Sequence, residues 1–189
     1  MSTDTPVVLV LDDERELANL YGEWLGSRWN SKIAYDVDGA IDRLDSSVDV
    51  ALVDRRLPHR SGDEFIQYVE ESEFDPRVAM VTAVKPDFDI VEMGFDEYVV
   101  KPVDREQLYG VVESLLTRST YDRQIRQLYR LISKRSSLET CKSDAELAES
   151  DSYSELSRRI QRLQSDLDST MGSLSSRDFD VELRRIGAD

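Results

Sequence analysis

Short apolar runs and amphipathic stretches take turns through the first 120 residues. Val7 to Leu11 is a continuous apolar run of strand length, as expected of a strand buried on both faces. Glu14 to Ser27 follows with Leu17, Leu20, Tyr21, Trp24 and Leu25 at helical spacing. A second strand is predicted around Ser31 to Tyr35, then a short helix through Ala40, Ile41 and Leu44 with Asp36 or Asp38 at its start. Val48 to Val53 is the third run, and Phe65, Ile66 and Val69 mark a helix beginning near Gly62. Val78 to Val81 and Tyr98 to Val100 are the fourth and fifth runs. Between them, Val91 and Met93 are predicted in a short helix closed by Gly94. Asp104 with Gln107 reads as a capping box opening one more helix.

Five strands alternating with helices predict an α/β fold: a five-stranded parallel sheet, doubly wound, with helices on both faces. Ligands of such sheets sit outside the carboxyl ends of the strands, where the strand order reverses. The residues after each strand therefore matter most. They are Asp12-Asp13, Asp54, Thr82-Ala83 and Lys101-Pro102. Three carboxylates on one rim raise each other's pKa values unless a cation sits among them. A few hard oxygen ligands, with room for water and phosphate, suit Mg²⁺. Lys101 adds a positive charge and Thr82 a hydroxyl, making a pocket for an anionic group bonded to a carboxylate.

These residues, in this order, resemble a response-regulator receiver, the flavodoxin-like fold of the bacterial chemotaxis regulator. Asp54-Arg55-Arg56-Leu57-Pro58 with Gly62 fits the family's D-x-x-[LM]-P-x-x-x-G run, and Tyr98 stands three residues before Lys101 as the switch aromatic does. The resemblance covers residues 7 to about 118 and implies specific roles. Asp54 would accept the phosphoryl group. Mg²⁺ would be held by Asp12, Asp13, Asp54 and the backbone carbonyl of Arg56. Lys101 would pair with the phosphoryl oxygens, Thr82 and Tyr98 would form the switch, and Lys101-Pro102 would carry a cis peptide bond. Arg56 and Val84 occupy positions that tune phosphoryl lifetime in the family. The implied partner is a sensor histidine kinase. Such a protein is no enzyme beyond its own phosphorylation and dephosphorylation. His59, the only histidine, is read as an ordinary loop residue.

Charge divides the chain. Up to residue 119 there are 12 basic and 26 acidic residues, a net of −14; after it there are 12 and 13, a net of −1. With five Lys against nineteen Arg, the acidic, lysine-poor surface fits a protein kept soluble in concentrated salt. An acidic protein from a GC-rich genome is the other reading. No window reaches the roughly 18 apolar residues of a membrane span. The polar, acidic start Met1 to Pro6 resembles no targeting peptide, and a single Cys141 permits no internal disulfide, so a cytoplasmic location is expected.

The last predicted helix does not stop where the first domain should end. Val112, Leu115 and Leu116 run on into Tyr121, Ile125, Leu128 and Ile132, with no Gly or Pro before about Arg135. Ser136 to Ser152 reads as a turn with a partial helix around Ala145 to Ala148, and a second helix spans about Ser154 to Leu174. Its Leu156, Ile160, Leu163, Leu167 and Leu174 form an apolar stripe. Two such stripes need a partner: a helical hairpin, or a coiled coil across a homodimer. The expected division is 7–118 and 119–189, the second part resembling the HalX domain of salt-loving archaea. Arg123, Arg126, Arg130 and Lys134 on the first helix, with Arg158, Arg159 and Arg162 on the second, read as a solvated face or as a surface for nucleic acid. The solvated face is preferred, which leaves a downstream protein partner as the expected output. An aspartate-nucleophile hydrolase of the haloacid-dehalogenase type is a further alternative, but it needs a second Asp where Arg56 stands.

Overall fold

The computed structural model describes residues 5–186, with side chains through residue 170 apart from Glu92. Strands β1 (Val7–Leu11), β2 (Asn30–Ala34), β3 (Val48–Val53), β4 (Arg77–Thr82) and β5 (Glu97–Val100) form one parallel sheet in the order β2-β1-β3-β4-β5. Helices α1 (Arg15–Gly26), α2 (Val37–Arg43) and α3 (Gly62–Glu71) follow the first three strands, and α4 (Arg105–Cys141) follows β5.

The apolar runs explain the layers. Successive side chains of a strand point to opposite faces, so Val8, Val10, Val50, Leu52, Ala79 and Val81 face one way. There they meet Ala18, Tyr21 and Leu25 of α1 and Leu108, Val111, Val112 and Leu115 of α4. Leu9, Leu11, Ala51, Val53, Val78 and Met80 face the other way, against Val37 and Ala40 of α2 and Phe65, Ile66 and Val69 of α3. A continuous apolar strand is therefore two half-cores read alternately.

Local chemistry sets the helix starts. Asp36, not Asp38, caps α2 by accepting from Gly39 N–H at 2.6 Å. The Asp104/Gln107 box forms as read: each backbone N–H donates to the other's side chain, at 2.8 and 3.0 Å. The sequence reading fails after β4. In place of a helix holding Val91 and Met93 stands a single 3-10 turn, Phe88–Glu92, capped by Asp87, with Met93 outside it. Pro86 holds the residue before it out of the α region and Gly94 disfavours continuation beyond the segment, so the helical stretch stays one turn.

His59, at φ 71°, is the one non-glycine residue with a positive φ among the described residues. The left-handed conformation costs an L side chain roughly 1–2 kcal/mol, and glycine's greater unfolded freedom offsets part of that. His59→Gly is accordingly expected to raise unfolding stability by about 0.5–1 kcal/mol in urea titration. An unchanged midpoint would refute the assignment of strain.

The chain divides into two compact units at Leu116/Thr117, inside α4. α4 also passes the break expected near Arg135 and ends at Cys141. Ser137 and Thr140 donate their hydroxyls to the carbonyls four residues back, at 2.9 and 2.8 Å, and the Arg135–Glu139 pair one turn apart supports the helix there. The short α5 (Asp144–Ala148) begins with a Ser143/Glu146 capping box. Helix α6 (Asp151–Ile186) starts three residues earlier than predicted, with the Ser150 hydroxyl accepting from Tyr153 N–H at 3.2 Å, and outruns the predicted end. Leu131 of α4 buries against Ile160 and Leu163 of α6, with Leu128, Ile132 and Leu156 around them. Within one chain the two stripes thus make a hairpin. The Leu174 side chain lies outside the described residues.

Candidate functional site at the sheet rim

Strand order reverses between β1, which pairs with β2 on one side and β3 on the other. Leu11 and Val53 are register partners, so the residues that follow them, Asp12 and Asp54, leave the sheet side by side. Asp54 N–H donates to the Leu11 carbonyl at 2.8 Å and fixes that step. Ligand atoms of Asp12, Asp13 and Asp54 all lie within 4.8 Å of one another. Asp12 and Asp54 are buried, at 3% and 7% exposure, while Asp13 is exposed. One site thus mixes two desolvated carboxylates with one open to water.

Lys101 reaches this cluster from the end of β5. Its Nζ donates to Asp12 Oδ2 at 2.7 Å and to Asp54 Oδ2 at 2.6 Å, with Glu14 at 4.0 Å. Lys101 N–H bonds to the Thr82 carbonyl at 2.9 Å, and the Lys101-Pro102 bond is cis, as the resemblance implied. The remaining oxygens are held by backbone: Asp12 Oδ1 accepts from Glu14 N–H and Asp54 Oδ1 from Arg56 N–H, both at 3.0 Å. Burial pushes the Asp12 carboxyl above its ordinary value, Lys101 opposing and Asp54 adding to the rise. Burial would lower the Lys101 ammonium, but its bonds to Asp12 and Asp54 prevail and raise it. The result is a proton-holding lysine clamped between two acids.

Thr82 is fully buried at the end of β4, its Oγ1 3.4 Å from Val84 N–H. Tyr98 is half-buried on β5, packs on Phe95, and donates its hydroxyl to the Val84 carbonyl at 2.9 Å. The backbone of one residue, Val84, therefore meets both predicted switch residues, its N–H facing Thr82 and its carbonyl accepting from Tyr98. Sequence reading passed over Arg55, whose guanidinium pairs with Asp63 of α3 at 3.2 Å and with Asp89 of the 3-10 turn. Its bond to Asp89 raises the Arg55 pKa and lowers that of Asp89. Only its place next to Asp54 hinted at this tie.

Gly62 closes the loop that carries Asp54. Its N–H donates to the Arg55 carbonyl at 2.9 Å, and a Cβ there would stand 2.2 Å from the Asp54 carbonyl oxygen. The Asp54 oxygen is backbone, so no rotamer relieves the collision. Gly62→Ala is expected to cost about 2–3 kcal/mol of stability in denaturant unfolding and to weaken divalent-cation affinity. A variant matching the parent in both would disprove the close approach.

The donor set fits a magnesium ion: three carboxylates of hard oxygen, one still open to solvent. Residues 8–113, more than half of the chain, match the response regulator receiver domain. The chain belongs to the response regulator receiver family. Residues 117–183 of this response regulator match the HalX domain. A Haloferax volcanii protein described as a transcriptional regulator is 42% identical over 85% of the chain and 28% of its own length. Transcriptional regulatory protein CpxR of Escherichia coli is 33% identical over 62% of the chain and 52% of its own length. The response regulator thus spans about half or less of these relatives. Response regulator TrrA of Thermotoga maritima, solved with Mg(2+)-BeF, matches over 59% of this chain and 99% of its own at 25% identity, with a TM-score of 0.52. No helix among the described residues is long and apolar enough to cross a membrane.

Proposed function

We propose that this response regulator takes a phosphoryl group onto Asp54 from a phosphohistidine of a sensor histidine kinase, in a magnesium-dependent reaction. One observation carries the reading: the Lys101 ammonium bridges Asp12 and Asp54 at 2.7 and 2.6 Å, beside a third carboxylate. A carboxylate oxygen of Asp54 attacks phosphorus, the phosphorus–nitrogen bond breaks, and the leaving imidazole keeps the electron pair and takes a proton. Lys101 follows the charge from carboxylate to phosphoryl oxygens. Asp12, Asp13, Asp54 and the Arg56 carbonyl would hold Mg²⁺, which supplies charge neutralisation at those oxygens. The Mg(2+)-BeF complex of TrrA, a relative of matching fold, supports this choice of ligand.

The acyl phosphate draws the Thr82 hydroxyl, and Tyr98 turns inward as their shared Val84 contacts rearrange. Turning a mostly inactive population into a mostly active one needs these contacts to favour the active state by about 5 kcal/mol. The signal leaves through α4, whose Leu108 to Leu115 segment packs on the sheet while Leu128 to Ile132 packs in the hairpin. The helical unit is the output, acting by homodimerisation or on a downstream protein. The protein works in the cytoplasm, its acidic surface suits concentrated salt, and it catalyses only its own phosphorylation and dephosphorylation.

The test uses the full chain with a small acyl-phosphate donor and Mg²⁺, followed by intact and peptide mass measurement. The expected result is one base-labile phosphoryl increment on the peptide containing Asp54, absent when a chelator is added. No increment, or one mapped to another peptide, would overturn the proposal.

A further inference from the structure

The stretch around the 3-10 turn packs lightly. No side chain from Lys85 to Val91 is buried, and Phe88 and Val91 are 91% and 74% exposed. The turn's own bonds are local: Ile90 N–H to the Asp87 carbonyl at 3.2 Å, and Met93 N–H to the Ile90 carbonyl at 3.1 Å. Among the described residues, one hydrogen bond ties Lys85 to Val91 to the rest of the first unit, from Arg55 to Asp89. The same guanidinium donates through Nε and Nη2 to Asp63 Oδ2 in the first turn of α3, at 3.3 Å each. The Arg55 backbone is held as well. Its carbonyl accepts from Gly62 N–H at 2.9 Å, and the next N–H, of Arg56, reaches Asp54 Oδ1 at 3.0 Å.

We propose that Arg55 is a positioning residue for the magnesium site, with Asp63 and Asp89 as the two jaws that clamp it. The inference rests on the reading of Asp54 as a magnesium-dependent acceptor. Two of the ligands expected there, the Asp54 carboxylate and the Arg56 carbonyl, flank Arg55 in the chain. A guanidinium fixed at both edges restrains the backbone that carries it, so the two oxygens keep their places. Mg²⁺ demands near-ideal octahedral geometry, and a loose ligand therefore costs affinity. Arginine suits the task because its planar fork spans two carboxylates, where a lysine ammonium is a point charge. By charge alone a cation beside the site opposes Mg²⁺. Position, not charge, is what Arg55 contributes. Such a coupling is reciprocal: a metal that orders residues 54–56 also steadies the turn, and Phe88 and Val91 with it.

The test is a magnesium titration of the full chain followed by amide NMR shifts, with amide exchange at Ile90 and Met93 measured with and without saturating Mg²⁺. Arg55→Gln is expected to weaken magnesium binding ~10-fold, and Asp89→Asn, which leaves Asp63 in place, ~3-fold. Charge alone predicts the opposite sign for Arg55→Gln, because removing one cation favours another. The double variant Arg55→Gln/Asp89→Asn keeps the net charge and is expected to match Arg55→Gln, whereas charge alone predicts parental affinity. In the parent, Mg²⁺ is expected to slow exchange at the two amides by the same ~3-fold that Asp89→Asn costs in affinity, and in the double variant to leave it unchanged. Parental or tighter magnesium binding in folded Arg55→Gln would overturn the proposal. So would exchange at those amides that ignores Mg²⁺ in the parent. Should Arg55→Gln not fold, Arg55→Lys decides: charge alone predicts no change, and loss of the fork predicts ~3-fold weaker binding. A parent that binds no magnesium defeats the acceptor-site reading and this one together; a parent that binds it, with variants its equal, defeats this one alone.

Discussion

Asp54→Asn is expected to incorporate no base-labile phosphate from a small donor under conditions that label the parent fully. The substitution removes the nucleophile and the carboxylate charge that Lys101 pairs with at 2.6 Å. Asn keeps the volume and one carbonyl oxygen, so the bond from Arg56 N–H, 3.0 Å in the parent, survives. Lys101 keeps Asp12 at 2.7 Å, and the surrounding strand is apolar core. Folding should therefore be nearly intact, as checked by circular dichroism and a urea midpoint within about 1 kcal/mol of the parent. Loss of labelling with loss of fold would say nothing about chemistry, which is why the second measurement belongs with the first. Retained labelling in a folded variant would place the acceptor elsewhere, Asp12 and Asp13 being the nearest carboxylates.

Lys101→Met should produce the largest change in stability. Removing the ammonium leaves two buried carboxylates, 3% and 7% exposed, facing each other without a cation. Breaking a buried pair by deleting one member typically costs about 3–5 kcal/mol; Glu14 N–H and Arg56 N–H still hold the far oxygens of the two acids, so about 3 kcal/mol is expected here. The loss should appear in chelator by denaturant unfolding. Added Mg²⁺ stabilises the native state by mass action, and its gain should be larger in the variant, where the ion replaces the lost ammonium. Equal stabilities of variant and parent in chelator would mean that the clamp contributes nothing to folding. Equal magnesium gains would mean that lysine and metal do not share the same carboxylates.

Two electrostatic details govern how such measurements depend on pH. Lys101 has its folded pKa raised, so its contribution is complete at neutral pH and fades only as alkali passes that raised value. Glu146, in the α5 capping box, is lowered to about 2 by the Ser143 N–H first and Lys142 next. Its support for α5 is present above the ordinary carboxylate range and is lost as pH falls toward about 2.

Much of this was legible in the chain. Val7 to Leu11 and Val48 to Val53 announce buried parallel strands because both their faces are apolar, and that period is local. The acids and the lysine follow those runs directly, so knowing the strands parallel already sends Asp12, Asp54, Thr82 and Lys101 to one rim. Capping pairs such as Asp104/Gln107 were equally readable, since their partners lie three residues apart. Folding decided what depends on distant neighbours. It made the 88–92 segment a 3-10 turn, tied Arg55 to Asp89 across 34 residues, and brought Thr82 and Tyr98 to the backbone of the same residue, Val84. It also sorted the basic residues of the tail, setting Arg159 of α6 beside Arg130 and Lys134 of α4, and Arg158 and Arg162 beside Glu155. Sequence specifies what each position prefers within a few residues; which charges meet is set by how the elements pack, because a side chain's partner is whatever surface arrives opposite it.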